Sequence, residues 1–439
     1  MKTPSFFHVC QASLLLGLFT WLGHAGAAED QRLADLRGVR QARFNEDGSR
    51  VLVRMSKREL GLWDVESGRA VKGDLEQVSM KLPYFVEETG RRFVASVGEG
   101  TARVFDMTTG MAISPPIAIE LLETGRGSPA FSPDLSQVLL FDQKQQAQIF
   151  EVKSGQRIAQ LTLEKPNEDF DVSGLAAKFA KDGPVCFIIT HQGVLRRYDT
   201  TTWKLAGEPM THPNREGWHF SFNLSEDGQH VVTCDGPGEN GPKGYLQLWD
   251  TQTSRPLGQA LEATNGVSGR FLPGGKRLVV SRARGRAGVH EVPSLKRLFD
   301  LPEHDDVEGP MVKATPDGKG IFTWGYSESV IFSDATTGKH LGSSSNRALL
   351  KDVLVTPDSK EAFLVYNNTA FLLQQHYDQY VVQVSLPDFK VKNSLRILGY
   401  LTSVDLSPEG SRLMVIEGLT GKEQVRLFDA ATLKETGVK

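Results

Sequence analysis

Three arginines alternate in the stretch SRARGRAG: Arg282, Arg284 and Arg286. On an extended strand, residues two apart share a face, so three guanidiniums would point the same way. Such a set can hold a carboxylate, a phosphate or a sulfated sugar through paired N–H···O bonds. The acids of EHDDVEG follow: Glu303, Asp305, Asp306 and Glu308. They can pair with those arginines or stay solvated. For Ca²⁺ they lack the alternating Asp/Asn ligand spacing with a fixed glycine. A second set is aromatic. NNTAFLLQQHYDQY, 367–380, carries Phe371, His376, Tyr377 and Tyr380, and THPNREGWHF carries Trp218 and His219. Exposed aromatics of this kind anchor partner surfaces; the alternative is that they fold back onto their own core.

Catalytic signatures are harder to find. GPGENG matches GxGxxG, but a dinucleotide site needs a strand before that motif and a helix after it. Here Pro237 interrupts the motif and Pro242 follows it, which suits a hairpin tip. There is no GxSxG, no HExxH, no P-loop and no paired CxxC. The histidines after the first thirty residues, from His191 to His376, are scattered through the chain. No cofactor and no metal site are expected. The formal net charge of -3 argues against coating nucleic acid, which needs clustered excess Lys and Arg.

What must position these residues is a repeat. LWDVESG (62–68) ends in an aromatic, an acid and a tight turn, and the pattern recurs nine times. The acid position reads Asp64, Asp106, Glu151, Asp199, Asp250, Glu291, Asp334, Ser385 and Asp429. A fixed place before a tight turn makes these carboxylates turn caps rather than acid/base pairs. Each is preceded by a second turn, such as NEDG (45–48), SPDL (132–135), TPDG (315–318) or SPEG (407–410). The third residues of these turns are spaced by 42, 45, 48, 45, 47, 43, 41 and 51. Alternating apolar runs such as SRVLVRM flank them, as half-buried strands require. A period near 45 residues built of short strands means a propeller.

These repeats resemble the WD40 family, from about residue 33 to the C-terminus. The resemblance implies a single all-β domain, a β-propeller of four-stranded blades. Nine repeats are counted, with eight blades as the alternative. Members of that family often carry a Gly-His pair before each unit, which starts a hydrogen-bonded His–Asp–Ser/Thr–Trp network. No Gly-His pair precedes any unit here, so the blades are expected to be held mostly by apolar packing, with His304 a relic at most. The segment RLADLRG, 32–38, is expected to supply an outer strand that completes the last blade and closes the ring.

The first residues differ from the repeats. Lys2, the apolar run ASLLLGLFTWLG and the small residues Ala25 and Ala27 read as a signal peptide over 1–28. The apolar run is shorter than the roughly 20 residues a spanning helix needs. The expected product is therefore residues 29–439, exported to a periplasm or outside the cell, with no membrane span. Two cysteines then remain, Cys186 and Cys234. They sit in strands of neighbouring repeats. Packed sheets lie about 10 Å apart, while a disulfide needs Cα atoms within about 7 Å, so two buried thiols are expected.

Within a unit, the distance from the third turn residue to the acid position is 17 in six units and 23, 27 and 20 in units five, eight and nine. That segment spans the second and third strands. Strand lengths are set by stacking, so the surplus is expected in the hairpin between them. In a meander these hairpins share a face with the loops joining successive blades (the hairpin face). The constant turns occupy the opposite side (the turn face). Variable loops on a rigid scaffold are where binding residues gather. The favoured reading is thus a non-catalytic scaffold that binds a protein partner through the hairpin face. The candidate contacts are Trp218, Arg282, Arg284, Arg286, Phe371, His376, Tyr377 and Tyr380. The alternatives are a hydrolase, lyase or dehydrogenase with its site at the central channel, and recognition of an anionic glycan by the three arginines.

Overall fold

The computed structural model describes residues 32–55, 60–75, 78, 84–98, 100–122, 127–163, 175–214, 220–235, 243–263, 267–282, 286–304, 310–325, 329–345, 349–367, 379–419 and 421–436. Within them the chain forms nine antiparallel meanders, with one added pairing: Gly127–Ser128, ahead of blade three, lies parallel to the first strand of blade four, Leu175–Phe179. Blade seven is representative: Met311–Ala314, Gly320–Trp324, Ser329–Asp334 and His340–Ser345 pair in that order. Blades one and nine have three full strands each, and their fourth is reduced to one bridge, Trp63 with Ala70 and Phe428 with Glu435. The protein is an all-β propeller of nine blades. A 3-10 turn at Leu33–Asp35 precedes the first strand.

The recurring sequence marks become two kinds of turn. Asp250 Oδ1 accepts from the backbone N–H and the hydroxyl of Thr253, both at 2.7 Å. The same cap forms at Asp64, Asp106, Asp199, Asp334 and Asp429. The acids are thus occupied by their own turns. One NEDG-type turn, EETG (87–90), shows why its glycine is kept. Gly90 has φ +76, and a Cβ there would lie 2.9 Å from the Phe44 carbonyl oxygen of the preceding blade's turn. Successive turns therefore touch, and Glu46 N–H donates to Gly90 O at 3.2 Å.

The core is not central. Buried apolar side chains fall into nine clusters, each shared by two adjacent blades. Polar ties reinforce several of these seams. Arg277 Nη1 reaches Ala335 O at 2.8 Å, Arg50 Nε reaches Thr108 O at 3.1 Å, and Gln383 Nε2 reaches Ala430 O at 3.1 Å. Each accepting carbonyl lies just past the recurring acid of the next blade.

The ninth cluster joins the last blade to the first and closes the ring. It packs Met414, Ile416, Val425 and Leu427 against Leu33, Leu36, Val39, Val51 and Trp63. Val39 N–H donates to Glu423 O at 3.0 Å. The segment 32–38 differs from the expected outer strand. Arg32 bridges Arg69 of blade one, and the 3-10 turn that follows places Leu33 and Leu36 in the seam. The outer edge of blade nine is met by the chain's own Glu435, with Thr436 N–H donating to Leu427 O at 2.8 Å. Two leucines three apart suit a turn of helix better than a strand, where they would face opposite sides. The expected signal peptide lies outside the described residues.

The absence of a His–Thr–Trp network also needs correcting. In blade five, His212 Nδ1 lies 2.9 Å from Thr233 Oγ1, and Trp249 Nε1 donates to the same oxygen at 2.9 Å. All three residues are buried. The histidine follows Thr211 rather than a glycine, so a search for Gly-His passes over it. In blade seven His304 Nε2 lies 2.9 Å from Thr323 Oγ1, with Ser333 where blade five has its tryptophan. Buried apolar side chains still fill all nine seams, as expected.

The cysteines are free and buried. Cys186 belongs to the seam of blades three and four and Cys234 to that of blades five and six. Burial pushes both thiols up, Cys234 to about 12, so neither is a nucleophile. The surplus of unit eight lies only partly in its loop. Its second and third strands, Glu361–Asn367 and Gln379–Ser385, have seven residues each, against five and six in blade seven. Pairing satisfies backbone groups that a loop would leave to water, so the hairpin zips further before it opens.

Thr233→Val should cost about 1–3 kcal/mol, because it strands two buried polar groups. Urea denaturation followed by tryptophan fluorescence reads this, and an unchanged midpoint would mean that the network holds nothing.

Candidate functional site

Described apolar side chains gather at one place on the hairpin face. Leu398 is 82% exposed, Leu419 70% and Tyr400 49%. Leu398 lies in the connection from blade eight to blade nine, Tyr400 opens the first strand of blade nine, Tyr400–Leu406, and Leu419 follows its second strand, Arg412–Gly418. Two glycines bring these loops together. A Cβ on Gly399 would sit 2.8 Å from Gly418 N, and one on Gly418 would sit 2.8 Å from Glu423 Cα. Gly418 also has φ +147, a conformation L side chains rarely adopt. The backbones therefore touch, and Tyr400 pairs across from Gly418.

The elements beneath are rigid. Gln379, at the base of the long hairpin of blade eight, is buried and accepts Leu401 N–H on Oε1 at 2.6 Å. Tyr380 follows it, half-buried, opposite Tyr366 and Arg396. Arg426 braces the other side of blade nine. It holds Glu417 at 2.7 Å and Glu435 at 2.9 and 2.7 Å, with its guanidinium 4.9 Å from the centre of the Phe428 ring. The exposed apolar groups thus stand on two adjacent blades that are both longer than the common unit.

Sequence reasoning singled out this face and these two units but not these residues. Leu398, Tyr400 and Leu419 belong to no motif; the signal that could have found them is apolar side chains within connector and hairpin segments. Of the residues singled out, Phe371, His376, Tyr377, Trp218 and Arg284 lie outside the described residues. Tyr380 stands at the hairpin base. Arg286 holds Glu303 Oε2 through Nε at 2.8 Å and Nη2 at 2.7 Å, an exposed ion pair of the kind worth at most about 1 kcal/mol. Arg282 is half-buried at the end of its strand, and burial and the nearby Arg297 hold its guanidinium below its usual range.

The first strands of the blades face the channel, and in blade four that edge is paired by Gly127–Ser128. Polar side chains of one blade reach the first strand of the next or the turn that ends it. Arg43 Nη2 donates to Glu88 O at 3.0 Å, Asn223 Nδ2 to Gly269 O at 3.5 Å, and Lys351 Nζ to Thr402 O. Lys313 lies 3.6 Å from Asp352. Burial raises the Asp405 carboxyl above the usual carboxylate range, against opposing contributions from the Phe44 N–H it accepts and from Arg43. Burial likewise lowers Lys351. Displaced acid and base values mark functional sites, but here each group is engaged in joining neighbouring strands.

The chain has a β-propeller fold like that of WD40 domains. No protein-family model matches it, and no curated protein matches its sequence. Among solved structures, a eukaryotic initiation factor aligns over 90% of this chain and 96% of its own, at 14% identity and a TM-score of 0.64. The C-terminal WD40 domain of Sif2 aligns over 78% of this chain and 94% of its own, at 12% identity and a TM-score of 0.52. At such identities the likeness is one of fold.

Asp405 gives a test of the channel ties. Its raised carboxyl binds a proton more tightly folded than unfolded, so it penalises stability at pH values above that raised value and stops doing so in acid. Asp405→Asn keeps an acceptor for Phe44 N–H without the buried charge. It should raise the melting temperature at pH 7 and shift it less at acidic pH, where the wild-type group is already protonated. A fall at pH 7 would mean that the charge itself holds the seam.

Proposed function

We propose that this chain is an exported, non-catalytic scaffold that binds a protein partner through the hairpin face of blades eight and nine. The observation that carries the reading is the joint exposure of Leu398, Tyr400 and Leu419 on the two adjacent blades with lengthened hairpins. Exposed apolar groups standing together mark interaction surfaces more often than scattered ones do, and aromatic anchors on a rigid base lose little entropy on binding. Export rests on the signal-like character of residues 1–28. The channel polar groups favour a scaffold over an enzyme, since they tie neighbouring strands rather than converge on an open site.

The test is crosslinked capture from the envelope fraction of the source cell. It compares the chain with the triple variant Leu398→Ser, Tyr400→Ser, Leu419→Ser, after circular dichroism shows that both are folded. A specific partner should be retained by the first and lost by the second, with affinity falling about tenfold or more, as loss of interface anchors does. Equal capture would place the surface elsewhere, and no specific partner at all would count against the scaffold reading.

A further inference from the structure

The opposite side of the ring carries a cavity that the proposed partner surface does not use. It encloses about 490 Å³ on the turn face, within the range of small-molecule sites. The first strands of blades two to five and the turns that end them form its walls. The apolar lining is Phe85, Ala130, Phe131, Ala177, Phe179 and Leu224. The Phe85 and Phe131 rings lie near parallel, at 14°, with centroids 6.5 Å apart. Both are half-exposed, so they form an aligned platform on which a flat ring can stack.

The polar groups around this lining are engaged with one another. Lys178 lies 3.4 Å from Glu88, Lys181 3.8 Å from Glu226 and Arg91 2.5 Å from Glu46. Glu87 is held by Thr89 N–H at 2.7 Å, Thr89 Oγ1 at 2.5 Å and Arg91 N–H at 2.5 Å. The hydroxyls of Ser132 and Ser225 donate to Asp134 and Asp227, each at 2.6 Å. The charged side chains around the lining thus already have partners, and what the lining offers a ligand is apolar and aromatic surface.

We propose that this cavity binds a small uncharged aromatic molecule, stacked on Phe85 and Phe131 and enclosed by Phe179 and Leu224. The blades supply the wall, and the charged groups at its rim pair with one another. This site is independent of the partner surface proposed above.

The probe is N-phenyl-1-naphthylamine, a neutral dye that brightens in apolar surroundings, titrated into the full chain. Saturable binding of one equivalent is expected. Ala177→Phe, which fills the cavity, and Phe85→Leu, which removes half of the platform, should each weaken it about tenfold, with melting temperatures that show both variants folded. The hairpin-face triple variant should bind the dye as the wild type does. Absence of saturable binding would overturn the proposal. So would binding that survives both cavity variants, or that vanishes only in the hairpin-face triple.

Discussion

Every blade is a sheet with two apolar faces and no means of burying either alone. The whole molecule follows from that constraint. Each face is covered by the next blade, so the hydrophobic core is divided among nine seams, and stability is a sum over neighbours. The arrangement leaves no exposed face only if the last blade meets the first. Here that seam is made by packing and by a short N-terminal turn bearing Leu33 and Leu36, not by strand exchange. Each blade is contiguous in sequence, and closure depends on side-chain complementarity.

A ring of radial sheets creates a second demand, since every first strand presents an edge to the channel. Unpaired edges template association. This chain meets the demand with polar side chains that reach from one blade to the next, among them Arg43, Asn223, Lys351 and Asp405. Charged groups in a central channel invite a catalytic interpretation. Their partners are largely backbone atoms of neighbouring strands, which accounts for them structurally. The displaced carboxyl of Asp405 is a cost of that arrangement.

The two faces divide the remaining work. Turns on one side are constant because successive turns touch, as Gly90 against Phe44 O illustrates. Hairpins on the other side have no such neighbour and can lengthen. Blades eight and nine use that freedom, and their second strands, Glu361–Asn367 and Arg412–Gly418, have seven residues each. The turn face is uniform in its backbone but not in its side chains. Where four consecutive first strands carry Phe85, Phe131, Phe179 and Leu224, a cavity opens.

The amino-acid sequence by itself determined the architecture. Nine turn pairs at a near-constant period set the number of blades, because turn chemistry is local and depends on Asp, Gly and Pro at fixed offsets. The caps at Asp64 and Asp250 and the two separate thiols were legible for the same reason. What needed the tertiary structure was anything that joins distant residues. His212 meets Thr233 and Trp249 across a hairpin and a connection, and no short motif encodes that meeting. The segment 32–38 looked like a strand because its neighbours are strands, but the space between two blades decided otherwise. Leu398, Tyr400 and Leu419 are unremarkable letters in two separate segments. They become a surface only because Gly399 and Gly418 let two backbones touch, and the face of a sheet on which such residues stand is decided by packing, not by their order in the chain.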